Sequence, residues 1–272
     1  MPPQRSRSTP ESVMSSTSPS LPLSGQRGLV LGVANDHSIA WGCARALHQQ
    51  GAQVVMSCLN DKARPYVEPL AASIDATLLN CNVENPGELE ALVEQTVAQI
   101  GKIDFVVHSI AWAPLTELHG RVIDSSAAGF ARAMTVSCHS FAELAKLCEP
   151  HLSPNATLMT MTYLGADGAV QNYGLMGPVK AALESMVRYM ALELGGTGVR
   201  VHAISPGPIP TRAASGLQDF DDLMDEARNR APLQRLVTLE EIGALAAFLA
   251  GPGGSGMTGQ TLYVDGGYHA VR

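Results

Sequence analysis

At 272 residues, 46% apolar and 16% charged, the chain has the composition of an ordinary soluble protein, with enough length for one large domain or two small ones. Its net charge of −7 argues against a nucleic-acid partner, which needs a basic face. No apolar run approaches the ~20 residues that span a bilayer, so no membrane partner is expected.

The first two dozen residues, MPPQRSRSTPESVMSSTSPSLPLS, are rich in Ser and Pro and have little to bury. Residues 1–24 fit a disordered tail, a short transit-type segment, or an upstream stretch before a true start at Met14. From Arg27 onward strands and helices alternate. Strands are expected at Gly28–Leu31, Val54–Cys58, Thr77–Cys81, Phe105–Val107, Thr157–Thr162, Val199–Ile204 and Thr261–Val264.

Between the strands lie helical signals. Ile39, Cys43 and Leu47, with Ala40 and Ala44, give the first helix an apolar face. Asn85-Pro86 reads as cap and first position of a later helix, with Glu88 in its first turn. Thr238 and Glu241 have capping-box spacing before the apolar run Ile242–Leu249. Strict alternation predicts an α/β fold, one doubly wound domain over 25–272 with a seven-stranded, mostly parallel sheet and helices on both faces.

In such a fold, ligands bind where the first strand turns into the first helix. That turn is G-V-A-N-D-H-S-I-A, in which Gly32 allows a tight strand exit and Ser38 and Ile39 open a helix whose free N–H groups suit a pyrophosphate. It lacks the G-x-G-x-x-G pattern and reads equally as a plain connection. Beyond the second strand, Asp61 could meet a ribose, and Lys62 or Arg64 a 2′-phosphate, or all three could be a solvated helix start. Asn82 could bond an adenine amino group or simply make a turn.

Tyr163, Tyr173 and Lys180 crowd into one stretch. Tyr173 precedes Lys180 by seven positions, about two helical turns, which would set both on one helix face and let the ammonium favour the phenolate. An isolated pair of this kind is usually just part of an amphipathic helix; here it stands among further motifs. The eight histidines form no H-E-x-x-H cluster, so no metal is expected. Cys43, Cys58, Cys81, Cys138 and Cys148 are odd in number and lack C-x-x-C spacing, as in reduced core residues of a cytoplasmic protein.

The motifs G-V-A-N-D-H-S-I-A-W-G (32–42), H-S-I-A-W-A-P (108–114), Y-L-G-A (163–166) and N-Y-G-L-M-G-P-V-K-A-A-L-E (172–184), with V-R-V-H-A-I-S-P-G-P-I-P-T-R-A-A-S-G (199–216) and V-D-G-G-Y (264–268), complete the pattern. Together they resemble the short-chain dehydrogenase/reductase superfamily, specifically the bacterial-type NADH-dependent enoyl-[acyl-carrier-protein] reductases. The resemblance runs from about Gly28 to Tyr268 and implies a Rossmann-type domain with a substrate flap near 211–232. It implies that Tyr173 hydrogen-bonds the thioester carbonyl and stabilises the enolate formed on hydride addition. Lys180 would hold the nicotinamide ribose, and Tyr163 would line the acyl pocket and assist protonation. Gly32, Ser38, Ile39, Leu59, Asn82, Val83, Ile110, Ile209, Pro210, Thr211, Arg212 and Ala213 would contact the dinucleotide, and Ala113 and Met176 the substrate. The implied cofactor is NADH, with NADPH open; the implied partners are an enoyl thioester on acyl carrier protein and three further copies in a homotetramer. Asn82 stands where Asp is usual. Leu59 occupies a position that is often polar, and the flap segment Leu217–Glu226 is acidic where basic residues are common. A carbonyl or enone reductase of the same superfamily, or a non-catalytic dinucleotide-binding paralogue, are the competing readings.

Overall fold

A computed structural model describes residues 20–211, 216 and 219–271. Seven strands form one sheet in the order β3-β2-β1-β4-β5-β6-β7. They are β1 Arg27–Leu31, β2 Gln53–Cys58, β3 Thr77–Asn80, β4 Ile103–His108, β5 Leu152–Met161, β6 Arg200–Pro206 and β7 Gln260–Val264. Every neighbouring pair runs parallel, so the sheet is parallel throughout and not merely for the most part. The order reverses between β1 and β4. This is the switch point where the loops after the two strands diverge to opposite faces and leave a crevice at their carboxyl ends.

The strands read as continuous apolar runs because both faces are covered. Alternation sends Leu29 and Leu31 of β1 to one core and Val30 to the other. On the first face lie α3 (Glu88–Ile100), α6 (Ser140–Cys148) and α7 (Met176–Leu194). The second face carries α1 (Ile39–Gln49), α2 (Arg64–Ser73) and α9 (Leu239–Ala250). Between β4 and α6 run the short α4 (Leu115–Leu118), α5 (Ala127–Met134) and a π-helical turn, Thr135–His139. Helix α8 spans Phe220–Arg230.

The first helix forms as its periodicity requires, burying Ala40, Cys43, Ala44 and Leu47. Helices α1 and α9 approach closely because Gly243 faces Gly42, and a Cβ on Gly243 would stand 2.4 Å from the Gly42 carbonyl oxygen. The capping box of α9 is complete: the Glu241 N–H donates to Thr238 Oγ1 at 3.3 Å and the Thr238 N–H donates to the Glu241 carboxylate at 2.9 Å. Thr238→Ala is expected to lower the unfolding free energy by about 1 kcal/mol, read by denaturant titration, with activity retained.

Two expectations are corrected. Asn85-Pro86 does not start α3, whose N-cap is Gly87 in the left-handed region at φ 83°. Asn85 instead closes the preceding turn, its side-chain amide donating to Glu88 Oε1 at 2.6 Å. The ordered chain also reaches back into the stretch read as tail: Leu23 is fully buried, and its N–H donates to the Gln50 carbonyl at 2.9 Å. All five cysteines are free and buried. Burial pushes the Cys43, Cys81 and Cys148 thiols up to about 12, which leaves them unreactive. No helix among the described residues is long and apolar enough to cross a membrane.

Candidate active site

The carboxyl ends of β1, β4, β5 and β6 border one open cleft of about 200 Å³. Gly32 leaves β1 at φ +92°, and a Cβ there would lie 2.3 Å from the Ser109 carbonyl oxygen, so only glycine lets the two loops meet. Ser38 is the N-cap of α1, extended at φ −77°, with its hydroxyl donating to the Asn35 carbonyl at 2.6 Å. The N–H groups of the first three residues of α1 have no intrahelical acceptor, and Ser38 and Ile39, which open the helix, line the cleft.

Across the cleft stand Tyr163, directly beyond β5, and Tyr173, with ring centroids 4.8 Å apart and planes inclined at 56°. Tyr173 is not on the helix that carries Lys180, contrary to the expectation from their spacing. It sits in the turn before α7, between Asn172 at φ 62° and Gly174 at φ 56°, while Lys180 lies in the second turn of α7. The left-handed residues on either side turn the chain before the helix begins, and Tyr173 lines the cleft from that turn. Gly165 is packed against that ring, where a Cβ would come within 2.3 Å of Tyr173 Cδ1.

Lys180 is buried and donates from Nζ to the Met161 carbonyl at the end of β5, at 2.8 Å. Burial lowers it to about 8, and Cys138 and Glu184 oppose that fall. Glu184, one turn further along α7, accepts from the Thr162 hydroxyl at 2.7 Å and is itself pushed up by burial. Burial holds the Tyr173 phenol above its ordinary value, with Tyr163 and Glu184 adding to the effect. Lys180 is not among the groups that shift its acidity, so in place of the expected bias toward phenolate the phenol stays a neutral hydroxyl with a proton to donate. Tyr163 is likewise raised by burial, and its hydroxyl is buried without a hydrogen-bond partner. Behind them His108 is buried and bonded at both nitrogens, Nδ1 to Thr160 Oγ1 at 3.1 Å and Nε2 to Ser140 Oγ at 2.8 Å. The Ser140 proton goes to the Val136 carbonyl, which makes Nε2 the protonated nitrogen. Burial and the nearby Lys180 charge lower His108 to about 3, so it stays neutral.

The cleft gathers most of the residues singled out in the sequence: Gly32, Ser38, Ile39, Ile110, Ala113, Tyr163, Tyr173, Met176, Lys180, Ile209 and Thr211. Leu59, Asn82 and Val83 follow β2 and β3 at the same sheet edge but outside the cleft lining, as does Pro210 beyond β6. The Asn82 side-chain oxygen accepts from the Glu84 N–H at 3.1 Å, closing a local turn. Arg64 is occupied too, donating to the Leu78 carbonyl at 3.2 Å and pairing with Glu68 at 3.6 Å. Arg212 and Ala213 lie outside the described residues. Sequence reasoning missed Trp112, Thr162, Phe220 and Leu223, all of which line the cleft. The first two could have been found as residues just past the carboxyl ends of β4 and β5; Phe220 and Leu223 on α8 had no such marker.

A family model described as Enoyl-(Acyl carrier protein) reductase matches residues 32–269. The chain belongs to that family. Enoyl-[acyl-carrier-protein] reductase [NADH] 1 of Rhizobium meliloti is 42% identical over 250 residues, covering 92% of each chain. The Escherichia coli NADH enoyl reductase is also 42% identical, over 90% of this chain and 95% of its own. Among solved structures, the Bacillus cereus enoyl reductase with NADP+ and indole naphthyridinone superposes at TM-score 0.89, with 39% identity over 92% of this chain and 99% of its own. The Anaplasma phagocytophilum enoyl reductase in complex with NAD gives TM-score 0.87 at 36% identity, over 93% and 95%.

Proposed function

We propose that the protein reduces trans-2-enoyl thioesters with NADH, in the chain-elongation cycle of fatty-acid biosynthesis. The observation that carries this is the convergence of two buried phenols and a buried ammonium on the cleft that the β1–α1 turn also borders. A dinucleotide fits these residues: Gly32 would leave the room a pyrophosphate needs beside the α1 N-terminus, and Lys180 would offer a buried cation in the same cleft to the ribose hydroxyls. What a bound nicotinamide supplies is a hydride for the β-carbon of the enoyl thioester. Tyr173 donates its hydroxyl to the thioester oxygen as negative charge gathers there. Lys180, anchored by Met161, holds the ribose side of the site and keeps positive charge below it. Tyr163, with no internal partner for its hydroxyl, completes the wall around the acyl group and can accept or donate one hydrogen bond to it. Ala113 and Met176 leave an apolar slot for the first carbons of the chain.

The exposed acidic start of α8, Asp221 and Asp222, argues against strong electrostatic recruitment of an acidic carrier protein. We therefore expect carrier-protein and coenzyme-A thioesters to differ less in KM than a basic flap would make them. The test is steady-state NADH oxidation with crotonyl-coenzyme A, an enoyl-acyl-carrier-protein and simple ketones, each repeated with NADPH. Turnover of the thioesters supports the reading; ketone reduction alone would favour the carbonyl reductase, and NADH binding without any turnover the non-catalytic paralogue.

Gly32→Ala is expected to weaken NADH binding at least about tenfold, since a side chain at that φ is strained and meets the loop after β4. Fluorescence titration with NADH measures it. We further propose a cytoplasmic homotetramer. Its support is the large apolar side chains that α7 and α9 expose, Tyr189 at 65%, Leu192 at 79% and Phe248 at 47%. Light scattering on the purified protein tests the assembly.

A further inference from the structure

At the mouth of the cleft, the indole of Trp112 lies in a frame that the reaction itself does not require. Its backbone N–H donates to Ser137 Oγ at 2.7 Å, and that hydroxyl donates back to the Trp112 carbonyl, also at 2.7 Å. Ser137 is completely buried in the π-helical turn, so the backbone at Trp112 is fixed from below. The Arg132 guanidinium covers one face of the indole, 4.2 Å from the ring centroid. Glu84 grips that guanidinium with both oxygens, at 2.6 and 3.1 Å, and the turn that positions Glu84 is closed by Asn82. A planar bidentate pair stacked on a ring fixes more than a point charge would.

We infer that the Glu84–Arg132 pair is a strut that positions Trp112 as a specificity-determining wall for the amide-bearing arm of the thioester substrate. This rests on the enoyl reductase reading and adds a contact to it. Trp112 lines the cleft together with Ile110 and Ala113, on the loop that follows β4. One face is taken by Arg132, yet the residue stays 38% exposed, so an apolar surface is left at the opening. An extended, uncharged chain of methylenes and amides leaving the thioester suits such a surface. Because Glu84 already neutralises the guanidinium, Arg132 acts through the indole and not on a substrate phosphate.

The test compares the parent with Arg132→Ala, Arg132→Lys and Trp112→Leu, using the crotonyl thioesters of coenzyme A and of N-acetylcysteamine, which keeps an amide but has no phosphate. Arg132→Ala is expected to raise the KM for both thioesters by about fivefold, with kcat within about twofold and the KM for NADH unchanged. Trp112→Leu should do the same or more, and Arg132→Lys should restore part of the loss. An effect confined to the coenzyme-A thioester would show Arg132 reading phosphate and would overturn the strut, as would parental KM values in both Ala and Leu variants.

A second readout needs no turnover. The chain has two tryptophans, so in a Trp41→Phe background the emission reports Trp112 alone. Saturated butyryl-N-acetylcysteamine should change that emission saturably, at higher concentrations after Arg132→Ala. No response, or identical titrations, overturns the proposal. If the parent turns over no enoyl thioester the activity reading fails, and this titration still decides the position of Trp112.

Discussion

Tyr173→Phe is expected to lower kcat for an enoyl thioester by ~10²–10³ while leaving the NADH affinity close to parental. The substitution removes one oxygen and keeps the ring, which packs on Tyr163 at 4.8 Å and fills the space beside Gly165. The fold therefore has little reason to change, and the lost rate can be assigned to the lost donor. Because burial holds the phenol above its ordinary value, the parent hydroxyl stays protonated across the usable pH range. The residual activity of Tyr173→Phe should accordingly have the same pH profile as the parent, scaled down. Tyr163→Phe is the informative partner: its hydroxyl is buried without a partner, so removing it should not destabilise the protein, and any rate loss would report a direct role. A Tyr173→Phe enzyme with undiminished kcat would remove the oxyanion assignment altogether.

The spacing of Tyr173 and Lys180 shows what sequence can and cannot carry here. Seven residues fit two turns of helix, and nothing in that count forbids one. The signal against it was the pair flanking the tyrosine, Asn172 and Gly174, the two residue types that best tolerate left-handed backbone. The same blindness misplaced the start of α3: Asn85-Pro86 has the chemistry of a cap, but Gly87 adopts φ 83° and begins the helix after it. The strands were legible because a parallel sheet covered on both faces leaves continuous apolar runs, and α1 and α9 because amphipathic periodicity and a capping box are local. Gly32 was legible as the tight exit of the first strand, whereas Ile110 and Met176 were found through motif resemblance. Trp112 was not, since its meaning lies in Arg132 and Glu84, which are distant in sequence and meet only in the folded chain.

Lys180→Met is expected to make a protein that is more stable than the parent and nearly inactive. The ammonium is 3% exposed and has one backbone acceptor, the Met161 carbonyl, so burying it costs more than that bond returns. A methionine of similar length fills the space with no charge to desolvate, and the unfolding free energy at pH 7 should rise by about 1–3 kcal/mol. The sign with pH follows from the lowered value. The folded lysine releases its proton at about 8, whereas in the unfolded chain it keeps it to ~10.4. Between those values the unfolded state binds more protons, so parental stability rises with pH across that window and the advantage of Lys180→Met shrinks. Function runs the other way. On the proposed role of Lys180 at the ribose, kcat/KM of the parent should fall as pH rises through about 8, and Lys180→Met should lose both NADH affinity and rate at every pH. Denaturant titrations at pH 7 and 10, set beside NADH titrations of both proteins, measure the two halves. A Lys180→Met protein that is less stable yet binds NADH normally would show that the lysine is there for the fold and not for the dinucleotide.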